Sequence, residues 1–208
     1  YNPDSKWDWY ALGGRWNNYF KLKENSEGQQ GRTGMFGTPG KVGYADQVRK
    51  GDIDFESMRN DAEKSALEIY DIVQQSIVDL EMECHWKDLL VKVDNKEMTI
   101  DEARDKYRGQ PLLVSFNKCV DENRDKLGYM ADVEDYLIDR ESYAKEARNN
   151  SLVPFSWLDS EGWAESGKMG WFGMSTEEVT KEEWAQLVND KLDALPGDTL
   201  ISAYDLHI

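Results

Sequence analysis

SKWDWYALGGRWNNYFKLK, residues 5–23, is the stretch on which the fold turns. Strand alternation puts Trp7 and Trp9 on one face and Lys6, Asp8 and Tyr10 on the other. Gly13-Gly14 suits a tight turn, because glycine accepts positive φ. Arg15 to Lys23 reads as a returning strand, so the segment is predicted to be a β-hairpin. Toward the other end, Leu152–Leu158 (LVPFSWL) reads as a strand and Asp159-Ser160-Glu161-Gly162 as a turn. Trp163–Met174 holds the partner strand of this second hairpin. Thr199–Ile208 is a final strand.

Between these ends the chain reads as mostly helical. Residues 24–43 hold six glycines and one proline and form a loop, and Ala45–Val48 is a short strand or turn. From about Asp54 to Lys92, Ile69, Ile72, Val73, Ile77 and Leu80 follow helical spacing. Thr99-x-x-Glu102 is a capping box that opens a helix over Ile100–Tyr107, and Gly109-Gln110-Pro111 ends it. Leu112–Arg124 stays ambiguous, and Asp132–Arg148 reads as a helix. Thr180 and Glu183 offer a further capping box, and Ser175 with Glu178 another, before an amphipathic helix around Trp184, Leu187, Val188 and Leu192. Pro196-Gly197 stops it. The expectation is an α+β fold: an antiparallel or mixed sheet from the N- and C-terminal strands, helices on one face, and a helical middle over 55–148. Residues 1–208 are expected to form a single domain.

Composition narrows the function. The 208 residues carry a net charge of −16, with hydrophobic residues at 39% and charged residues at 32%. Eight Trp, ten Tyr and six Phe argue against disorder. Residues 1–50 hold eight basic against five acidic side chains, and residues 51–208 hold 17 against 36. An acidic body repels a nucleic-acid backbone, so general DNA or RNA binding is not expected, whereas the positive opening segment suits a small anion. No apolar run is long enough to span a membrane, and no signal peptide is visible. Residue 1 is Tyr rather than Met, so a segment upstream is expected. Cys84 and Cys119 are too few, in too large a chain, for a disulfide scaffold and read as free thiols in a reducing compartment.

Three clusters are candidates for chemistry. Lys6, Asp8 and Arg15 surround the Gly-Gly turn, with Trp7, Trp9, Tyr10 and Trp16 nearby. Arginine binds phosphate or carboxylate in a bidentate fashion, and tryptophan stacks planar rings. The plainer reading is a tryptophan core with a surface charge ladder. Asp205 and His207 share a face of the last strand, where a carboxylate can orient an imidazole for general acid–base work. The plainer reading there is a solvated strand end. In GKMGWFG, residues 167–173, three glycines allow close backbone approach around Trp171, and Lys168 can face an anion. The plainer reading is a bulged edge strand. No phosphate loop, dinucleotide fingerprint, nucleophile elbow or zinc-protease motif is present. With two histidines, a metal centre is not expected, although Asp8, Asp46, Asp205 and His207 could in principle supply ligands. No cofactor is expected.

NPDSKWDWYALGGRW (residues 2–16), PFSWLDSEGWAESGKMGWFGM (154–174) and YDLHI (204–208) resemble a largely uncharacterised family of phage- and prophage-encoded proteins. Similar proteins carry N-P-x-S-K-W-D-W-Y-x-x-G-G-R-W, then G-x-M-G-W-[FW]-G, then D-x-H-I. The resemblance covers both ends of the chain and leaves the middle untouched. It brings no catalytic residues with it. Similar proteins have Cys between the terminal Asp and His; Leu206 stands there in this chain, against a thiol nucleophile. The resemblance implies an accessory protein in the host cytoplasm, acting against host defence.

The leading expectation is a protein that binds a nucleotide-like anion, with Arg15 and Lys6 as clamp, Trp7, Trp9 or Trp16 as platform, and Asp205 and His207 as polar readers. The alternatives are a phosphodiesterase or other hydrolase using His207 and Asp205, and an acidic module that inhibits a host protein. A homo-oligomer is compatible with a pocket completed across a two-fold interface.

Overall fold

The computed structural model describes residues 7, 9–33, 38–128, 131–169 and 175–207. The fold is α+β, and every strand pair among the described residues is antiparallel. The chain divides into two compact units. One is built from both ends, up to Ala62 and from Arg148 onward; the other is Glu63–Ala147.

In the first unit, β1 (Trp9–Leu12) pairs with β10 (Tyr204–His207), the two ends of the chain meeting directly. The register sets Trp9 opposite His207, Tyr10 opposite Leu206, Ala11 opposite Asp205 and Leu12 opposite Tyr204. The predicted N-terminal hairpin is therefore corrected. Gly13 and Gly14 do sit at positive φ (75° and 61°), but they lead into a 3₁₀ turn over Gly14–Trp16 rather than back along β1. The next strand, β2 (Phe20–Lys21), pairs with β3 (Tyr44–Ala45) instead. β4 (Gln47–Arg49) pairs with β9 (Leu200–Ser202). Ala203, between β9 and β10, links the pairs: its N–H donates to the Asp46 carbonyl at 2.8 Å, and its carbonyl accepts from Gly13 N–H at 3.0 Å.

Phe20, Ala45, Val48 and Ile53 form the buried centre of this unit, with Phe55, Met58 and Ile201 packed against it. The second predicted hairpin is present as β5 (Ser156–Asp159) and β6 (Gly162–Glu165). β7 (Gly167–Met169) then pairs with β8 (Ser175–Glu177), so Ser175 lies within a strand rather than at a helix start. The Thr180–Glu183 capping box opens α7 (Lys181–Ala194), as expected, and Trp184, Ala185, Val188 and Leu192 give it a buried stripe. The ends do not make one continuous sheet: the described strands form five two-stranded ladders.

Among the described residues the second unit has helices and no strand, its first and last helices extending into the other unit. α1 (Phe55–Ile77) stops where Asp79 takes a left-handed backbone (φ 61°), so the single helix predicted through Lys92 is two, the second being α2 (Trp86–Asp94). The extended link between them is held by the buried Gln110, whose carboxamide accepts from Cys84 N–H at 2.9 Å and donates to the Cys84 carbonyl at 3.0 Å. α3 (Ile100–Arg108) has the predicted Thr99–Glu102 capping box. The ambiguous stretch resolves as α4 (Pro111–Glu122), with Pro at its first position where no N–H is needed, followed by the short α5 (Arg124–Leu127). The predicted 132–148 helix is interrupted. A 3₁₀ turn over Val133–Tyr136 precedes α6 (Arg140–Asn150), and Asp139 accepts from Ser142 N–H at 2.9 Å to start the latter. Tyr70, Val73, Ile77, Leu112, Phe116 and Tyr136 are among the buried residues of this unit.

The β5–β6 turn is tied to α7 by charge. Lys191 Nζ lies 2.8 Å from Asp159 Oδ2 and 3.0 Å from Glu161 Oε2, and the Trp157 indole N–H donates to Asp159 Oδ2 at 2.8 Å. These bonds, Lys191 first, lower the Asp159 carboxyl to about 2. A depressed carboxylate stabilises the fold above its unfolded value of about 4, and the contribution is lost as pH falls through about 2. Lys191, raised by the same partners, loses its share only at alkaline pH. The stability gap between the parent protein and Lys191→Met, read as urea midpoints, should therefore narrow between pH 5 and pH 2. A gap unchanged with pH would contradict the tie.

Candidate functional site

The chain ends meet around two buried carboxylates, one on each side of Gly13-Gly14. Asp46 Oδ1 accepts from Tyr19 N–H at 3.0 Å and Oδ2 from Gly31 N–H at 2.8 Å. A Cβ on Gly13 would stand 2.7 Å from Asp46 Oδ2. Asp205 Oδ2 accepts from Arg15 N–H at 2.9 Å, and its Oδ1 accepts from Arg15 Nε at 2.8 Å and Nη2 at 2.5 Å. A Cβ on Gly14 would stand 2.6 Å from the Asp205 side chain. Asp46 is 1% and Asp205 2% exposed, so both carboxylates depend on these donors in place of water. Hydrogen bonding to Asp205 raises the Arg15 guanidinium above its usual value, and burial opposes that rise. The same guanidinium donates from Nη2 to the Leu206 carbonyl at 2.9 Å.

Alternation along β10 puts Asp205 and Tyr204 on opposite faces. Ala11, Asp205 and the attached Arg15 lie on one. On the other, Tyr10 and Tyr204 meet edge to face, with ring centroids 5.9 Å apart. This tyrosine face opens into a groove of about 410 Å³ whose far wall is Gln29, Gln30, Gly31 and Arg32. The wall is pinned to the end of β1: Arg32 N–H donates to the Leu12 carbonyl at 2.8 Å, and Gly14 N–H donates to the Arg32 carbonyl at 3.0 Å. Gly31 is required there, since a Cβ would fall 2.1 Å from the Leu12 carbonyl oxygen. The Arg32 side chain is exposed, and no described residue hydrogen-bonds or ion-pairs with its guanidinium. The groove's described lining holds that one positive charge and no negative one.

The residues singled out from sequence fall as follows. Arg15 and Asp205, expected as anion clamp and polar reader, are brought together as partners. Tyr10 lines the groove. Trp7 is buried and packs edge-on against Trp163 at 6.3 Å, in keeping with a core role. Trp9 and Trp16 are about half exposed. Lys168 pairs with Glu178 at 3.0 Å. The backbone of His207 lies opposite Trp9, and its side chain lies outside the described residues, as do Lys6, Asp8 and Trp171. Cys84 and Cys119 are free thiols, Cys119 buried. Among the described residues, no group of three metal-ligating side chains gathers, and no helix is long and apolar enough to cross a membrane.

Sequence reasoning missed Arg32, Gln29 and Tyr204. The available signal was Gly31-Arg32 inside the glycine-rich loop, a glycine placed for close approach beside a cation. No family model, curated protein or solved structure matches the chain.

The carboxylate pair sets a stability order. Gly14→Ala forces a side chain into both positive φ and the Asp205 carboxylate, and should cost roughly 2–5 kcal/mol. Arg15→Ala removes the two guanidinium donors of a buried carboxylate and leaves its backbone donor, and should cost roughly 1–3 kcal/mol, part of which Asp205→Asn in the same chain restores. Thermal denaturation of the three variants checks the order, and a fully stable Arg15→Ala would contradict it.

Proposed function

We propose that this protein binds a small nucleotide-like anion, and that it is a phage-encoded accessory protein that withdraws such a molecule from host defence signalling. The observation that carries the reading is Arg32: an exposed side chain without a described partner, lining together with Tyr10 and Tyr204 a groove of about 410 Å³. Pockets for small organic ligands span about 300–1,000 Å³ and combine aromatic walls with a few polar groups. A guanidinium binds phosphate or carboxylate oxygens in a bidentate fashion. The resemblance of both chain ends to phage and prophage proteins supports the setting, and with it a cytoplasmic location in the host. Tyr10, Ala11, Leu12 and Tyr204 of the groove belong to the resembling segments; residues 29–32 do not. A homo-oligomer that completes the groove across a two-fold axis belongs to the same reading.

The hydrolase alternative gains no observation, since Asp205 is engaged by Arg15. The acidic-module alternative rests on composition, with 12 basic against 21 acidic side chains over residues 63–147.

One incubation with a panel of linear and cyclic nucleotides tests the proposal, each sample being chromatographed before and after heat denaturation of the protein. Binding and release predicts that a nucleotide disappears and returns unchanged on heating. A new product would make the protein an enzyme. An unchanged panel would remove the small-ligand reading.

A further inference from the structure

The lining chemistry of the groove constrains its ligand further, if the reading above holds. We infer that the groove takes a mononucleotide, linear or cyclic: one planar ring and one phosphate, rather than a di- or triphosphate or a dinucleotide.

Charge is the first reason. Arg32 is the one ionisable cation among the described lining residues, and a single guanidinium satisfies a single phosphate through two parallel N–H donors. Each further phosphate would need another cation. The arginine that precedes Arg32 in sequence, Arg15, is already paired with Asp205 on the opposite face of β10. The described lining offers no second cation to compensate a second or third phosphate.

Position is the second. The backbone on both sides of the Arg32 Cα is pinned, through Leu12 and Gly14, to the strand that carries Tyr10. Phosphate and ring subsites are thus set at a fixed separation by one short piece of chain. Tyr10 is 71% exposed and Tyr204 43%, so ring surface remains open for stacking after the two have met edge to face.

The third is the ring edge. Gln30 is held, its Nε2 donating to the Lys41 carbonyl at 3.0 Å. Gln29 has an exposed carboxamide that no described residue engages, and its donor and acceptor can both meet the edge of a base. The groove volume of about 410 Å³ sits near the small end of the ligand-pocket range of about 300–1,000 Å³, which suits one nucleoside unit rather than two.

The test is isothermal titration of the full chain with the four common 5′-mononucleotides and their 3′,5′-cyclic forms. The matching nucleosides, the triphosphates and two cyclic dinucleotides complete the set. At least one mononucleotide should bind. Its nucleoside should bind roughly 10–100-fold more weakly, and Arg32→Ala should cost the mononucleotide a similar factor. The triphosphate should bind no tighter. Arg32→Ala should melt like the parent, since its guanidinium has no described partner to lose. Lys181→Ala serves as control. It lies at a separate hollow of about 250 Å³ beside Trp184, and should leave binding unchanged.

Tighter binding of a triphosphate or cyclic dinucleotide, or indifference to Arg32→Ala, would overturn the inference while leaving the nucleotide reading intact. Absence of binding by every nucleotide would overturn both.

Discussion

Two carboxylates buried against one Gly-Gly turn hold the ends of this chain together. Asp46 supplies acceptors to the N–H groups of Tyr19 and Gly31, and Asp205 supplies them to Arg15. A buried carboxylate without donors is costly, so each has to be met by fixed backbone or by a cation. Gly13 and Gly14 make that approach sterically feasible, because a Cβ at either would run into a carboxylate. Ala203 then couples the two sides, bonded to Asp46 and to Gly13. The β1–β10 ladder, the 29–32 wall and the groove between them all hang from this junction.

The junction also explains which parts of the structure were legible in the sequence. Local signals read correctly: the Thr99–Glu102 and Thr180–Glu183 capping boxes, the 159–162 turn, and Pro111 at a helix start all act within a few residues. Non-local pairing was not legible. Gly13-Gly14 followed by Arg15–Lys23 has the form of a hairpin, but its glycines serve approach to Asp46 and Asp205. The second of these is 191 positions further on. Helical periodicity likewise ran through Asp79 and Leu137, where the backbone breaks for reasons that single-face spacing does not carry.

The site shows the same division. Arginine and aromatic residues near a Gly-Gly turn pointed to the segment that lies beside the groove. Which arginine is committed could not be read, because Arg15 finds its carboxylate only when the last strand arrives. Arg32 looked like one more polar residue in a loop of glycines. It becomes the cation of the groove because Gly31 lets that loop press against Leu12. A guanidinium neutralised by a buried aspartate is a structural cross-link; a guanidinium with no described partner, lining a groove with two tyrosines, is what the proposed function takes as its recognition group.

The most direct measurement is a crystal structure of the full chain with a bound mononucleotide. The account predicts the phosphate within hydrogen-bonding distance of Arg32, the ring against Tyr10 and Tyr204, and the Arg15–Asp205 pair intact. A ligand seated on the opposite face of β10, its phosphate on Arg15 and the Asp205 pair broken, would contradict it.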